Sequence, residues 1–121
     1  GGHGIEENIQ IAKWLKEVGV DMIDCSGGGA TPQARASIGE RTTDQVGLAG
    51  ELRAATGLAT MAVGYITEAK QANKLIEDGT CDITLLGRQL LRDPYWPTHA
   101  AQILGDDPKP HMPLQYHVVA G

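Results

Sequence analysis

The chain has 121 residues, 41% of them hydrophobic and 16 of them glycine, with 15 acidic against 10 basic side chains for a formal net charge of -5. That is room for one compact domain, apolar enough to fold a core, but only about half of the roughly 250 residues that a complete eight-stranded (β/α) barrel needs. An acidic chain without a basic cluster excludes nucleic acid as a partner; no apolar run approaches the ~20 residues of a membrane span and Gly1-Gly2-His3-Gly4 has no signal pattern, so a soluble cytoplasmic protein with no membrane partner is expected.

Ile11, Trp14, Leu15 and Val18 fall at the i, i+3, i+4, i+7 spacing of one helix face, with Glu6 and Glu7 ahead of them and Gly19 as the stop. Residues 20–26 read as a short buried strand running into Gly27, Gly28 and Gly29. A connection of about 15 residues follows as far as Thr43, a length that is usually functional. Asp44 then caps a second helix with the stripe Leu48, Ala49, Leu52 and Ala55, ended by Gly57 before a strand over residues 59–63. The pattern repeats: Thr67 as N-cap, Ala69, Ala72, Leu75 and Ile76 on one face, Gly79 as the stop, and a third strand over residues 82–86. Asp93-Pro94 has the chemistry of a helix start, and Trp96, Ala100, Ile103 and Leu104 supply that helix's apolar face up to Gly105. Residues 1–105 form the folded part. Residues 106–121, with Pro108, Pro110 and Pro113, are expected to be an extended tail lying partly on a second subunit.

The order is αβ-αβ-αβ-α, which predicts an α/β fold with a parallel sheet and right-handed crossovers. Three strands leave two open edges, so the sheet is expected to be completed by residues outside the chain or by another copy. Ligands gather at the carboxyl ends of parallel strands, here Ser26-Gly27-Gly28-Gly29, Gly64-Tyr65 and Gly87-Arg88. Glycine there permits close backbone approach, and Arg88 adds a charge, which suits a phosphate; the alternative is that the glycines make tight turns and Arg88 pairs with a carboxylate. Cys25 and Cys81 lack metal or CxxC spacing and read as reduced core thiols. Trp14 and Trp96 read as core, the four histidines as solvated or hydrogen-bonded, and Asp21, Asp24 and Asp82 as turn caps. Neither a catalytic residue nor a metal site is assigned, so the chemistry is expected from a cofactor or from residues elsewhere.

Three stretches together resemble the C-terminal part of the old yellow enzyme family, the FMN-dependent ene-reductases, in their thermophilic-like branch: Ala12-Lys13-Trp14-Leu15-Lys16-Glu17 leading to Gly19-Val20-Asp21-Met22-Ile23-Asp24-Cys25-Ser26-Gly27-Gly28, then Ala62-Val63-Gly64-Tyr65-Ile66-Thr67, then Leu86-Gly87-Arg88-Gln89-Leu90-Leu91-Arg92-Asp93-Pro94-Tyr95-Trp96-Pro97. The resemblance covers about the last third of a family member. It implies a (β/α)8 TIM barrel of which this chain holds strands six to eight. It also implies that the backbone of Gly64, Gly87 and Arg88, with the Arg88 side chain, holds the FMN phosphate, with Ser26 and its glycines beside the same pocket. The implied reaction passes hydride from NADPH or NADH through FMN to an activated alkene. The implied partners are that small substrate, the N-terminal part of the barrel, and further copies in a homo-oligomer. The family's acid/base and substrate-binding residues belong to earlier strands and match no position here. The branch's tail arginine, which follows a Gln-Tyr pair, is also unmatched, since Gln115-Tyr116 continues as His117-Val118-Val119. The alternatives are another phosphate-anchoring barrel enzyme, or a non-catalytic fragment that acts only with a complementary chain.

Overall fold

The computed structural model describes residues 4–27 and 44–120. The first helix, α1 (Ile5–Glu17), starts where the Glu7 carboxylate accepts the Gly4 N–H at 2.9 Å, and ends at Gly19, whose φ of 94° is left-handed. Strand β1 (Met22–Cys25), helix α2 (Asp44–Thr56), strand β2 (Ala59–Val63), helix α3 (Ala69–Glu77) and strand β3 (Ile83–Leu85) follow. All three strands are parallel in the order β1-β2-β3, with Met22 opposite Ala59 and Met61 opposite Ile83. The alternation expected of an α/β chain is therefore present, with β1 and β3 shorter at both ends than the sequence patterns suggest.

Side chains alternate across a strand, and the two faces of this sheet differ. Ile23, Cys25 and Ala62 point to the helices, where Ala12, Leu52 and Leu58 make one apolar cluster and Ala49, Ala62 and Cys81 another. The opposite face carries Met22, Asp24, Ala59, Met61, Val63, Ile83 and Leu85, none of them buried, and Ile83 is 41% exposed.

Four expectations need correction. The face of α1 formed by Ile11, Trp14, Leu15 and Val18 is not its packed face. Small Ala12 is the buried residue, lying against Leu52 and Leu58 of the α2 region, while Trp14 is 58% exposed. Its main partner is α2, on one flank, so the wide apolar stripe has only its edge covered. Secondly, α3 begins at Ala69 with Glu68 as N-cap: the Glu68 carbonyl accepts the first helical bond, from the Ala72 N–H at 3.0 Å, while the Thr67 carbonyl is turned to the Trp96 indole.

Thirdly, Asp93-Pro94 does not open a helix. A five-residue helix, α4 (Arg88–Arg92), precedes it, and α5 (Trp96–Leu104) begins beyond it with Tyr95 as N-cap. The Asp93 carboxylate closes a turn on the Tyr95 N–H at 3.1 Å and takes His99 Nδ1 at 2.7 Å, which delays the helix by two residues. Trp96 is half-buried, and its Nε1 donates to the Thr67 carbonyl at 2.8 Å. Finally, the tail is not extended throughout. It turns through 3-10 segments at Lys109–His111 and Leu114–Val119 and returns to α5, with Pro108 buried and the Thr98 hydroxyl donating to the His111 carbonyl at 3.5 Å. The fixed φ of proline suits the first turn of a helix as well as an extended path, and Pro108, Pro110 and Pro113 sit at such starts.

At the amino end of the sheet, Arg53 of α2 grips Asp82 with two hydrogen bonds of 2.9 and 3.1 Å, and the same carboxylate accepts the Thr60 N–H at 2.9 Å. Asp82 thus ties α2, β2 and the start of β3, as a cap of wider reach than a single turn. The Arg53 hydrogen bonds, and then the Thr60 N–H, hold the Asp82 carboxyl below its ordinary value of 3.8. A carboxyl lowered in the folded state contributes stability that is complete above its unfolded value and lost as pH falls through the folded one. Asp82→Asn should therefore lower the urea midpoint by an amount that is constant above pH ~5 and shrinks as pH drops below 3.8; denaturation curves of both forms across that range check it.

Candidate functional site

Because the strands are parallel, their carboxyl ends lie at one edge of the sheet, opposite the Asp82 clasp. There β1 runs into Ser26 and Gly27, β2 into Gly64 and Tyr65, and β3 through Leu86 into Gly87 and Arg88. Gly28, Gly29 and the connection up to residue 43 lie outside the described residues, as does the side chain of Asp44 that was expected to cap α2.

Gly64 has φ 139°, a conformation that side chains disfavour, and Tyr65 has φ 50°. The Gly64 end of this turn is backed by α2: a Cβ on Gly64 would lie 3.5 Å from Gln45 and 3.8 Å from Val46. Gln45 opens α2 and donates through Nε2 to the Gly27 carbonyl, so one side chain bridges the ends of β1 and β2. Sequence reasoning missed Gln45. Its one signal was a place in the first turn of a helix that follows a long loop.

Gly87 is different. Among the described residues a Cβ there would meet nothing within 4 Å, so none of them covers the backbone at the end of β3 on that side. Beside it the Arg88 guanidinium lies over the Tyr65 ring, 4.4 Å from its centroid. Among the described residues Arg88 forms no ion pair with a carboxylate. The structure thus brings Gly64, Gly87 and Arg88 to one edge, on neighbouring strands, with a cation and an uncovered stretch of backbone side by side. That donor set suits a phosphate.

The other candidates fall into structural places. Cys25 and Cys81 are free, and burial pushes both thiols above their ordinary value of 9.0, which suits core packing rather than nucleophilic attack. His99 is paired with Asp93, and His117 Nε2 lies 3.3 Å from the Met112 carbonyl. No group of three or more metal-ligating side chains occurs among the described residues, and no helix among them is long and apolar enough to cross a membrane. A groove of about 290 Å3 runs between α5 and the tail, lined by Tyr95, His99, Gln102, Met112 and Tyr116 among others.

The sequence profile of the NADH:flavin oxidoreductase / NADH oxidase family, flavoproteins of FMN, matches residues 1–107. Among curated proteins, the chain is 42% identical over 115 residues to an NADPH dehydrogenase of Bacillus licheniformis, an alignment that covers 95% of this chain and 32% of that protein. It is likewise 42% identical over 105 residues to an NADPH dehydrogenase of Halalkalibacterium halodurans, covering 87% of this chain and 30% of the relative. An NADPH dehydrogenase of Bacillus cytotoxicus gives 42% over 112 residues, 92% of this chain and 32% of the other. The chain therefore spans about a third of the length of the curated relatives it matches.

The two glycines should respond differently to a methyl group. Gly64→Ala places a side chain at a disfavoured φ and should cost about 1–3 kcal/mol, whereas Gly87→Ala should leave the denaturation midpoint unchanged, since its Cβ enters open space. Urea titration of both variants in the complete protein distinguishes them.

Proposed function

The chain belongs to the NADH:flavin oxidoreductase / NADH oxidase family, and from that premise we propose that it is the last three strands, six to eight, of a (β/α)8 barrel that holds FMN. Members of the family are TIM barrels, and FMN and NAD(P)H are their cofactors. The observation that carries the proposal is the meeting of Gly64 with Gly87 and Arg88 at adjacent parallel strand ends, where barrels of this kind bind phosphate after strands seven and eight.

The residues present fit that group. The open space over Gly87 lets a phosphate oxygen approach the backbone, and Arg88 offers up to five N–H donors in one plane. Gly64 turns the chain sharply away from β2, and Gln45 steadies that turn from the α2 side. FMN, held at its phosphate by Gly64, Gly87 and Arg88, would supply the complete protein with hydride-transfer chemistry between NAD(P)H and an alkene conjugated to a carbonyl or nitro group. This chain contributes anchorage and one wall of the pocket. Its uncovered sheet face, from Met22 to Leu85, is the barrel interior that the N-terminal strands enclose. The tail's Leu114, Val118 and Val119, all exposed, extend a contact to a second copy. The family's flavin favours this over a barrel acting on a sugar phosphate, which would be colourless.

In the complete protein, Gly87→Val should fold yet obstruct the backbone where the phosphate sits. Arg88→Ala removes a charged hydrogen-bonding contact typically worth about 1.5–3 kcal/mol, roughly ten- to a hundredfold in FMN affinity. Flavin fluorescence titration measures both, with NADPH-dependent reduction of cyclohexenone as the activity readout. Unchanged FMN affinity in both variants would place the phosphate elsewhere.

A further inference from the structure

We propose that Tyr65 is a positioning residue whose ring holds the Arg88 guanidinium in place at the end of β3, leaving N–H donors for a phosphate; this rests on the phosphate site proposed above. Tyr65 is the one non-glycine residue of positive φ among the described residues. A left-handed conformation costs an L-residue of this kind about 1–2 kcal/mol, and such strain persists where surrounding contacts over-determine it, often beside a binding site. Here the strained residue lies directly between Gly64 and the ring contact that reaches across to the neighbouring strand end.

The geometry of the contact matters as much as its presence. The guanidinium carbon is 4.4 Å from the ring centroid, within the range of a cation–π interaction. A carboxylate partner would occupy N–H donors pairwise, as Asp82 does with Arg53. An aromatic ring takes no N–H donor pairwise, so the donors that point away from the ring stay available. Both side chains reach solvent at this edge, Tyr65 being 38% exposed. A long, freely rotating arginine would lose much side-chain entropy on meeting a phosphate. One already resting on a ring loses less.

The test compares FMN with riboflavin, which lacks the phosphate, as ligands of the complete protein. Tyr65→Leu should weaken FMN binding about two- to fivefold, the size of an exposed cation–π contact, and leave riboflavin binding unchanged. Tyr65→Phe keeps the ring and should retain FMN affinity. Both variants keep a β-carbon, so the backbone strain is the same in all three proteins and cancels from the comparison. In an Arg88→Ala background, Tyr65→Leu should have no further effect. Equal loss for FMN and riboflavin, a loss in Tyr65→Phe as large as in Tyr65→Leu, or a loss that survives Arg88→Ala would overturn the assignment. If Arg88→Ala itself does not separate FMN from riboflavin, the phosphate site fails and the positioning role fails with it. If Arg88→Ala separates them while Tyr65→Leu does not, the positioning role alone fails.

Discussion

A parallel sheet has to be covered on both faces, and among the described residues helices cover this one on one face only. Helices α1 to α3 bury Thr60 and Ala62 and pack on the partly buried Ile23 and Cys25, whereas Met22, Met61, Val63, Ile83 and Leu85 look outward from the other face. At about 25 cal/mol per Å2, a few hundred Å2 of apolar area left in water forgoes several kcal/mol, comparable with the whole stability of a small domain. The row Asp24, Met61 and Ile83 lies in register across all three strands, on the face that helices do not cover. Closure by further strands would cover this layer and the two sheet edges at once. The exposed Trp14, Leu15 and Val18 on α1 pose the same demand on the outer side.

Within that frame the two ends of the sheet do different work. At the amino end, Asp82 engages Arg53 and Thr60, so that its carboxylate spends both oxygens on holding elements together. The carboxyl end is built to leave groups unspent. Gly87 faces open space, and Arg88 rests on an aromatic face rather than on a carboxylate. One arginine is engaged by a carboxylate and the other, among the described residues, is not, and the strand polarity separates them. The whole arrangement follows from the crossover topology, since three parallel strands necessarily bring three following turns to one edge.

Much of this was legible in the residues. Glycines 19, 57, 79 and 105 stop helices where expected, each at positive φ, and the change from helical to extended period located all three strands. Gly64, Gly87 and Arg88 could be placed at strand ends because the residues around them mark those ends locally, while their phosphate role is what the family resemblance implies. What was not legible depended on neighbours distant in sequence. Which face of α1 packs is decided by α2, which accepts Ala12 and leaves the larger stripe exposed. Helix α4 is too short to show a period, and its Leu91 is 85% exposed. Gln45 and Tyr65 gain their places only when the ends of neighbouring strands meet, because a glutamine in a first turn and a tyrosine after a glycine are unremarkable by themselves. Asp93 and the tail prolines misled for another reason: each has two accepted local uses, and side-chain hydrogen bonds to Tyr95 and His99, or docking against α5, chose between them.

The central claim is that this chain supplies a phosphate anchor to a flavin barrel that other strands complete. It is tested most directly by titrating FMN into residues 1–121 alone and into the same chain co-expressed with the N-terminal part of the barrel, following the quenching of flavin fluorescence. The account predicts weak, non-stoichiometric binding to the chain alone and stoichiometric binding, with yellow protein recovered, once the complementary segment is present. Tight one-to-one binding with NADPH-dependent turnover by the monomeric 121-residue chain would contradict it.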